Sequence, residues 1–213
     1  MPVREIYKKL LKHFGPQNWW PADTEFEVIV GAILTQNTNW KNVERAIENL
    51  KTAHALRPSS LLKLSNQKLE RLIKPSGFYR QKAKRLKGFT KEYYGRSGMS
   101  REELLRVKGI GPETADSILL YAFDRPTFVV DAYTKRIGQR VGLFRFDDYH
   151  EIKAYFEKKL PKNLEVYKEY HALLVELAKN YCKTKPLCGE CPVVSLCKNP
   201  HPLSPSPKGR GGK

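Results

Sequence analysis

The chain has 213 residues, enough to bury a substantial core in one large or two small domains. Its 39 Lys and Arg against 22 Asp and Glu leave a formal charge of +17, which suits a polyanionic partner, nucleic acid first. No apolar run is long enough to span a bilayer, and the charged amphipathic opening MPVREIYKKLLKHF does not read as a signal peptide. The chain is therefore expected in the cytoplasm, or wherever its nucleic acid lies, and in that reducing setting its four cysteines are not expected as disulfides.

Ile6, Leu10, Leu11 and Phe14 fall at helical spacing over Pro2 to Phe14, and Gly15-Pro16 ends that helix before Trp19-Trp20-Pro21. Thr24 and Glu27 have the spacing of a capping box, and Phe26, Ile29, Val30 and Ile33 form the buried face of the helix they open. A polar knot, Leu34-Thr35-Gln36-Asn37-Thr38-Asn39, is closed by Trp40, where a further helix starts with Val43, Ala46, Ile47 and Leu50 facing inward. A helical pattern returns around Leu69, Leu72 and Ile73 before Pro75-Ser76-Gly77-Phe78-Tyr79, and a strongly basic helix is expected from Arg80 to Tyr94. No segment alternates with period two, so the chain reads as all-α.

Leu104, Leu105 and Val107 form a short helix leading into Lys108-Gly109-Ile110-Gly111, a tight turn with one apolar residue between two glycines. Pro112 suits the first position of the following helix, whose apolar face is Ala115, Ile118, Leu119 and Ala122. A backbone without Cβ atoms can lie against a phosphate with its N–H groups aimed at the oxygens, and a helix N-terminus adds partial positive charge. An apolar run, Phe128-Val129-Val130, then delivers the carboxylate of Asp131. Helices are expected over 132–141, 149–159 and 164–181, and the Pro-, Ser-, Gly- and Lys-rich stretch 199–213 is expected to be a disordered basic tail.

Cys182, Cys188, Cys191 and Cys197 make C-x5-C-x2-C-x5-C, with Pro186, Gly189 and Pro192 supplying turns. Four thiolates so close in sequence can enclose a tetrahedral zinc or a [4Fe–4S] cluster, and spacing alone does not choose between them.

The hairpin, Asp131 and the cysteine run together resemble the endonuclease III superfamily of helix-hairpin-helix DNA glycosylases, over 8–198. The resemblance implies two all-α domains with a cleft between them. A six-helix domain over 22–130 carries the hairpin, and 1–21 with 131–198 forms a cluster domain. DNA then lies across the cleft mouth, gripped by Lys108, Gly109, Ile110 and Gly111 on one side and faced by the cysteine loop on the other. The family's cysteine run, with a first gap one residue longer, holds a [4Fe–4S] cluster, so the resemblance favours that cofactor over zinc. It implies a structural role for the cluster, with Lys183, Lys185 and Lys198 displayed toward phosphates, and Asp131 as the catalytic carboxylate. Nucleoid association through DNA and a monomeric state are the family's defaults.

Bifunctional members carry a lysine two residues after the second hairpin glycine, where this chain has Glu113. A carboxylate cannot form an imine, so a monofunctional enzyme using water is expected, with Asp131 stabilising the oxocarbenium-like charge and orienting or deprotonating the water. Trp19-Trp20-Pro21, the segment from Leu34 to Trp40, the segment from Pro75 to Leu86 and Glu113 look like the endonuclease-III-like 3-methyladenine DNA glycosylases, although some of those lack the four cysteines. By that likeness Trp20 (or Trp19) and Trp40 sandwich the extruded base, Gln36 fills the hole left in the duplex, and residues near Tyr79 wedge from the other side. An alkylated purine is cationic, which favours stacking between indoles and needs no general acid. The partner is double-stranded DNA with a damaged base. Two other readings remain: an endonuclease-III-like enzyme for oxidised pyrimidines or mismatched bases, with or without lyase activity, and a non-catalytic DNA-binding Fe–S protein.

Overall fold

The computed structural model describes residues 2–198, so the expected tail over 199–213 lies outside the described residues. Eleven α-helices and three short 3₁₀ turns occur among the described residues, with no strand. The chain divides into two compact units, Trp20–Thr127 and Met1–Trp19 with Phe128–Lys213. The divisions fall a few residues from positions 22 and 130, and side-chain packing explains both shifts. Trp20 packs on Tyr121, with ring centroids 5.4 Å apart, so it joins the first unit. Phe128 stacks on Phe156 at 4.4 Å and meets Tyr167 edge-on at 5.6 Å, so the extended run before Asp131 joins the second.

The Trp20–Thr127 unit holds α2 (Glu25–Leu34), α3 (Trp40–Thr52), α4 (Pro58–Lys63), α5 (Asn66–Leu72), α6 (Tyr79–Tyr93), α7 (Arg101–Arg106) and α8 (Pro112–Tyr121). That is seven helices where six were expected. The unforeseen one, α4, is a six-residue turn with proline in its first positions, too short to show apolar periodicity. Side chains cap these helices where backbone N–H groups would otherwise lack partners. Thr24 accepts from the Glu27 N–H, Asn39 from Asn42 and Ser65 from Lys68. At the head of α2 the capping box is only half made. The Glu27 carboxylate reaches back to the Asp23 N–H and pairs with Lys51 at 2.8 Å instead of bonding the Thr24 N–H. A complete box forms at α7, where Ser100 and Glu103 exchange side-chain-to-backbone bonds.

Helices α7 and α8 are the arms of the glycine hairpin. The Asp116 carboxylate on α8 is fully buried and is gripped by Arg101 of α7 through Nε at 2.8 Å and Nη2 at 3.1 Å, with the Thr127 hydroxyl at 3.2 Å. This two-point geometry fixes the angle between the arms as well as their distance.

The second unit holds α1 (Pro2–Phe14), α9 (Ala132–Val141), α10 (Tyr149–Lys159), α11 (Leu164–Asn180) and the cysteine loop. Its core is aromatic, with Phe128, Phe156, Tyr167 and Tyr170 all buried. Each such side chain contributes about 1.5–3 kcal/mol on leaving water.

Replacing Arg101 with Met keeps most of the stem's packing but strands the Asp116 charge. Arg101→Met is expected to cost about 3 kcal/mol, read as a lowered urea midpoint at unchanged slope. A midpoint equal to wild type would show that the pair does not hold the arms.

Candidate active site

At the hairpin, Gly109 has φ +90°, and a Cβ there would lie 2.4 Å from Nε of Arg85. The turn therefore needs glycine both for its backbone angle and for the guanidinium lying against it. Gly111 is extended and forms the N-cap of α8, with its carbonyl accepting the Ala115 N–H. Lys108 is exposed. Ile110, expected among the DNA-gripping residues, is buried, and its N–H donates to Val107 at 3.0 Å. Its side chain anchors the turn to the core and leaves the flanking residues to face outward. Glu113 is exposed in the first turn of α8, where a carboxylate complements the helix dipole.

Gln36 is half-buried and committed to the hairpin. Its amide donates to the Gly109 carbonyl at 3.1 Å and to the Thr114 hydroxyl at 2.9 Å, and its Oε1 accepts from Arg85. The residue presented at the loop tip is Asn37, exposed and left-handed at φ +54°. A similar displacement affects Tyr79. Its ring packs against the core, whereas Phe78, one residue earlier, is 64% exposed and left-handed at φ +45°. A bulky residue in that conformation costs on the order of 1–3 kcal/mol, a strain found mostly at working sites. Helical phase could have separated the two, because Tyr79 falls on the stripe of Leu86, Phe89 and Tyr93 and Phe78 does not.

The tryptophans do not act as a set of three. Trp20 meets Trp40 edge to face, with centroids 5.1 Å apart and planes at 88°, so they do not form a parallel sandwich. Gly31 lets the Trp20 indole lie on α2, since a Cβ there would come within 3.0 Å of it. The two indoles border a cavity of about 210 Å³ that also meets Glu27, Glu44, Glu48 and Lys51, with Lys51 paired to Glu27. Trp19 belongs to the other unit, where the Lys179 ammonium stands over its ring at 5.4 Å. Adjacent residues in non-helical chain point to opposite sides, which explains why neighbours in sequence part company.

Asp131 is the N-cap of α9, its Oδ1 accepting the Thr134 N–H at 2.6 Å. Its side chain is only 15% exposed, and Oδ2 lies 3.6 Å from Nε2 of buried His171, a distance for electrostatic attraction and not a direct hydrogen bond. Burial alone would raise its pKa, but the attraction of His171 and the bonds from Thr134 outweigh burial and hold the carboxyl below the ordinary range. No sequence pattern pairs His171 with Asp131; the fold makes it a neighbour of the carboxylate.

The four cysteines border one small cavity of about 100 Å³, lined also by Val141, Leu177, Val194 and, among polar residues, Arg140 and Tyr181. Arg140 braces the loop, with Nη1 3.6 Å from the Cys182 sulfur and Nη2 bonded to the Thr184 carbonyl at 3.1 Å. Burial pushes the Cys191 thiol up, opposed by the Val193 N–H and reinforced by the other three cysteines. Among the described residues, no three His, Cys, Asp or Glu side chains stand close enough to clasp a single ion. The cysteines share a cavity and not a point.

These features define a helix-hairpin-helix protein with a capping carboxylate, and the comparisons with known proteins agree. Residues 30–162 match the HhH-GPD superfamily of base excision DNA repair proteins, and the chain belongs to that family. It is 54% identical over 209 residues to a Methanocaldococcus jannaschii protein provisionally named a DNA repair glycosylase, covering 92% of this chain and 95% of that one. The Helicobacter pylori 3-methyladenine DNA glycosylase bound to 1,N6-ethenoadenine superposes with a TM-score of 0.75 at 31% identity, over 84% of this chain and 97% of that chain. A non-covalent endonuclease III–DNA complex superposes with a TM-score of 0.82 at 25% identity, over 92% and 94%. The chain is a DNA glycosylase, which decides against a non-catalytic Fe–S protein.

Gly109→Ala is expected to lose about 1–2 kcal/mol of stability, from its backbone angle, and to weaken binding to an undamaged duplex severalfold. Wild-type duplex affinity in this variant would remove the turn from the DNA surface.

Proposed function

We propose that the protein binds double-stranded DNA, extrudes a damaged base and releases it hydrolytically, with alkylated purines such as 3-methyladenine as its substrates. The observation that carries this reading is Asp131, a nearly buried carboxylate held in its ionised form. In the proposed step the bond between C1′ and the base nitrogen breaks as water adds to C1′. Asp131 stabilises the oxocarbenium-like charge and takes or directs the water's proton. A cationic purine leaves as a neutral base and so needs no acid to protonate it. Glu113, exposed at the head of α8, offers no amine for an imine, which supports a monofunctional enzyme.

The substrate class is supported by Trp20 and Trp40 beside a cavity that also meets three carboxylates, Glu27, Glu44 and Glu48, against the one ammonium of Lys51, which Glu27 pairs. Indole faces and nearby negative charge both favour a cation over a neutral oxidised pyrimidine. The likeness to the H. pylori 3-methyladenine DNA glycosylase points the same way. An endonuclease-III-like enzyme for oxidised pyrimidines or mismatched bases is the second reading, supported by the likeness to the endonuclease III–DNA complex. The exposed residues Asn37 and Phe78 are proposed to enter the duplex as the base leaves, with Gln36 holding the first loop to the hairpin.

Cys182, Cys188, Cys191 and Cys197 are proposed to hold a [4Fe–4S] cluster, which the shared, mostly apolar cavity with the Arg140 guanidinium beside Cys182 supports. When bound, the cluster supplies a covalent cross-link that folds the loop. The protein is proposed to act as a monomer associated with the nucleoid through DNA.

Base release is to be measured on two duplexes, one with 3-methyladenine and one with thymine glycol, each with and without alkali. Free 3-methyladenine, with strand breaks only after alkali, is expected; thymine glycol release with direct breakage would establish the second reading. Asp131→Asn keeps an N-cap acceptor, so it should melt close to wild type while base release falls by at least ~10²-fold. Because the ionised form is the active one and its pKa is lowered, activity should persist as pH falls from neutrality and fail only below the ordinary carboxylate range. An acid limb near 6 would assign it to another group.

Purified protein is expected to carry iron and acid-labile sulfide in equal amounts, and Cys191→Ser to lose both and melt earlier. A single bound zinc would overturn the cluster.

A further inference from the structure

Lys82 is 1% exposed, on the buried face of α6. Its ammonium donates to two backbone carbonyls, Leu34 at 2.8 Å and Ser76 at 2.7 Å. Leu34 is the last residue of α2, so its carbonyl sits at the negative end of the helix dipole, and the Gln36–Asn37 loop begins immediately after it. Ser76 closes the 3₁₀ turn that leads into Gly77 at φ +68° and Phe78 at φ +45°. The Lys82 N–H meanwhile bonds the Phe78 carbonyl at 3.0 Å. One residue thus holds the roots of both loops whose exposed tips are Asn37 and Phe78. Arg85, one turn on, bonds Gln36 and lies against Gly109, which continues the same fastening to the hairpin.

A buried ammonium is costly, and its environment here shows it: burial first, then the nearby Arg85 charge, pull its pKa down to about 8. A methionine would fill the same space without that cost, so packing alone does not account for a lysine.

We propose that Lys82 is a positioning residue for base extrusion: its ammonium clamps the Leu34 and Ser76 carbonyls together and so sets the spacing between the two tips that enter the duplex. The inference rests on the reading that Asn37 and Phe78 are those tips. Lys82 touches no substrate. It acts by holding two strained loop roots in register, where a small misplacement costs rate and not fold.

The test uses the full-length protein and a duplex carrying a tetrahydrofuran abasic analogue opposite 2-aminopurine, whose fluorescence rises when the orphan base is displaced. This probe does not depend on the preferred lesion. Lys82→Met takes their donor from the Leu34 and Ser76 carbonyls, so it is expected to melt a few degrees lower yet stay folded at the assay temperature and bind an undamaged duplex as tightly, while the fluorescence rise and the single-turnover rate of base release both fall roughly tenfold or more. Lys82→Gln, which can keep one carbonyl bonded, should lose less of both. In a Phe78→Ala background, Lys82→Met should add little, because both changes act through the same tip. Full fluorescence and rate in a stable Lys82→Met protein would overturn the clamp. So would losses that simply track a fallen melting temperature, or failure of both Lys82 variants to fold, since either makes the lysine a stability element only. Phe78→Ala with an undiminished signal would instead overturn the loop-insertion reading on which the clamp rests.

Discussion

A charge taken out of water has to be met by partners, and in this chain each such meeting fastens a loop that propensity alone would leave loose. Asp116 binds Arg101 and Thr127 and so locks the hairpin arms. Lys82 binds the carbonyls of Leu34 and Ser76 and ties two loop roots. Glu27 meets Lys51 and the Asp23 N–H at the entrance to α2. Asp131 is met by Thr134 and His171 where the chain enters α9. In every case the partners come from separate segments, so the buried charge works as a geometric constraint more than as a source of stability.

That constraint explains how strained backbone survives at Asn37 and Phe78. Left-handed conformations for residues with a Cβ persist only where the surroundings over-determine them. Here the carbonyl before one strained pair is bonded to Lys82, and the loop carrying the other is bonded through Gln36 to Gly109 and Thr114. Rigid roots under exposed tips are what insertion into a duplex requires, because ordering a floppy loop at the moment of binding would cost free energy better retained for extrusion.

Periodicity made most of the fold legible. Nearly every long helix was visible from its apolar stripe, with ends shifted by a residue where caps decide, as at α6 and α11. What stayed hidden was orientation within basic or aromatic runs. In RQKAKRLKGFTK the lysines look alike, yet Lys82 stands four residues before Leu86 and seven before Phe89, on the stripe that turns inward. The resemblance pointed to Gln36 and Tyr79, while the exposed side chains of these two segments are their neighbours Asn37 and Phe78. His171 lies 40 positions from Asp131, and no local pattern pairs them.

The separation of Trp19 from Trp20 bears on how a pocket for a cation is built. A parallel sandwich needs two indoles with free faces, but Trp19 already has an ammonium over its ring and Trp20 meets Trp40 by its edge. With Lys179 in place, Trp19 offers a cation a face that is already electrostatically taken. The carboxylates nearest the tryptophan pair, Glu27, Glu44 and Glu48, share with Lys51 the cavity that Trp20 and Trp40 border. For a chain of such positive total charge, a cavity where three carboxylates outnumber one ammonium departs in sign from a surface suited to phosphates.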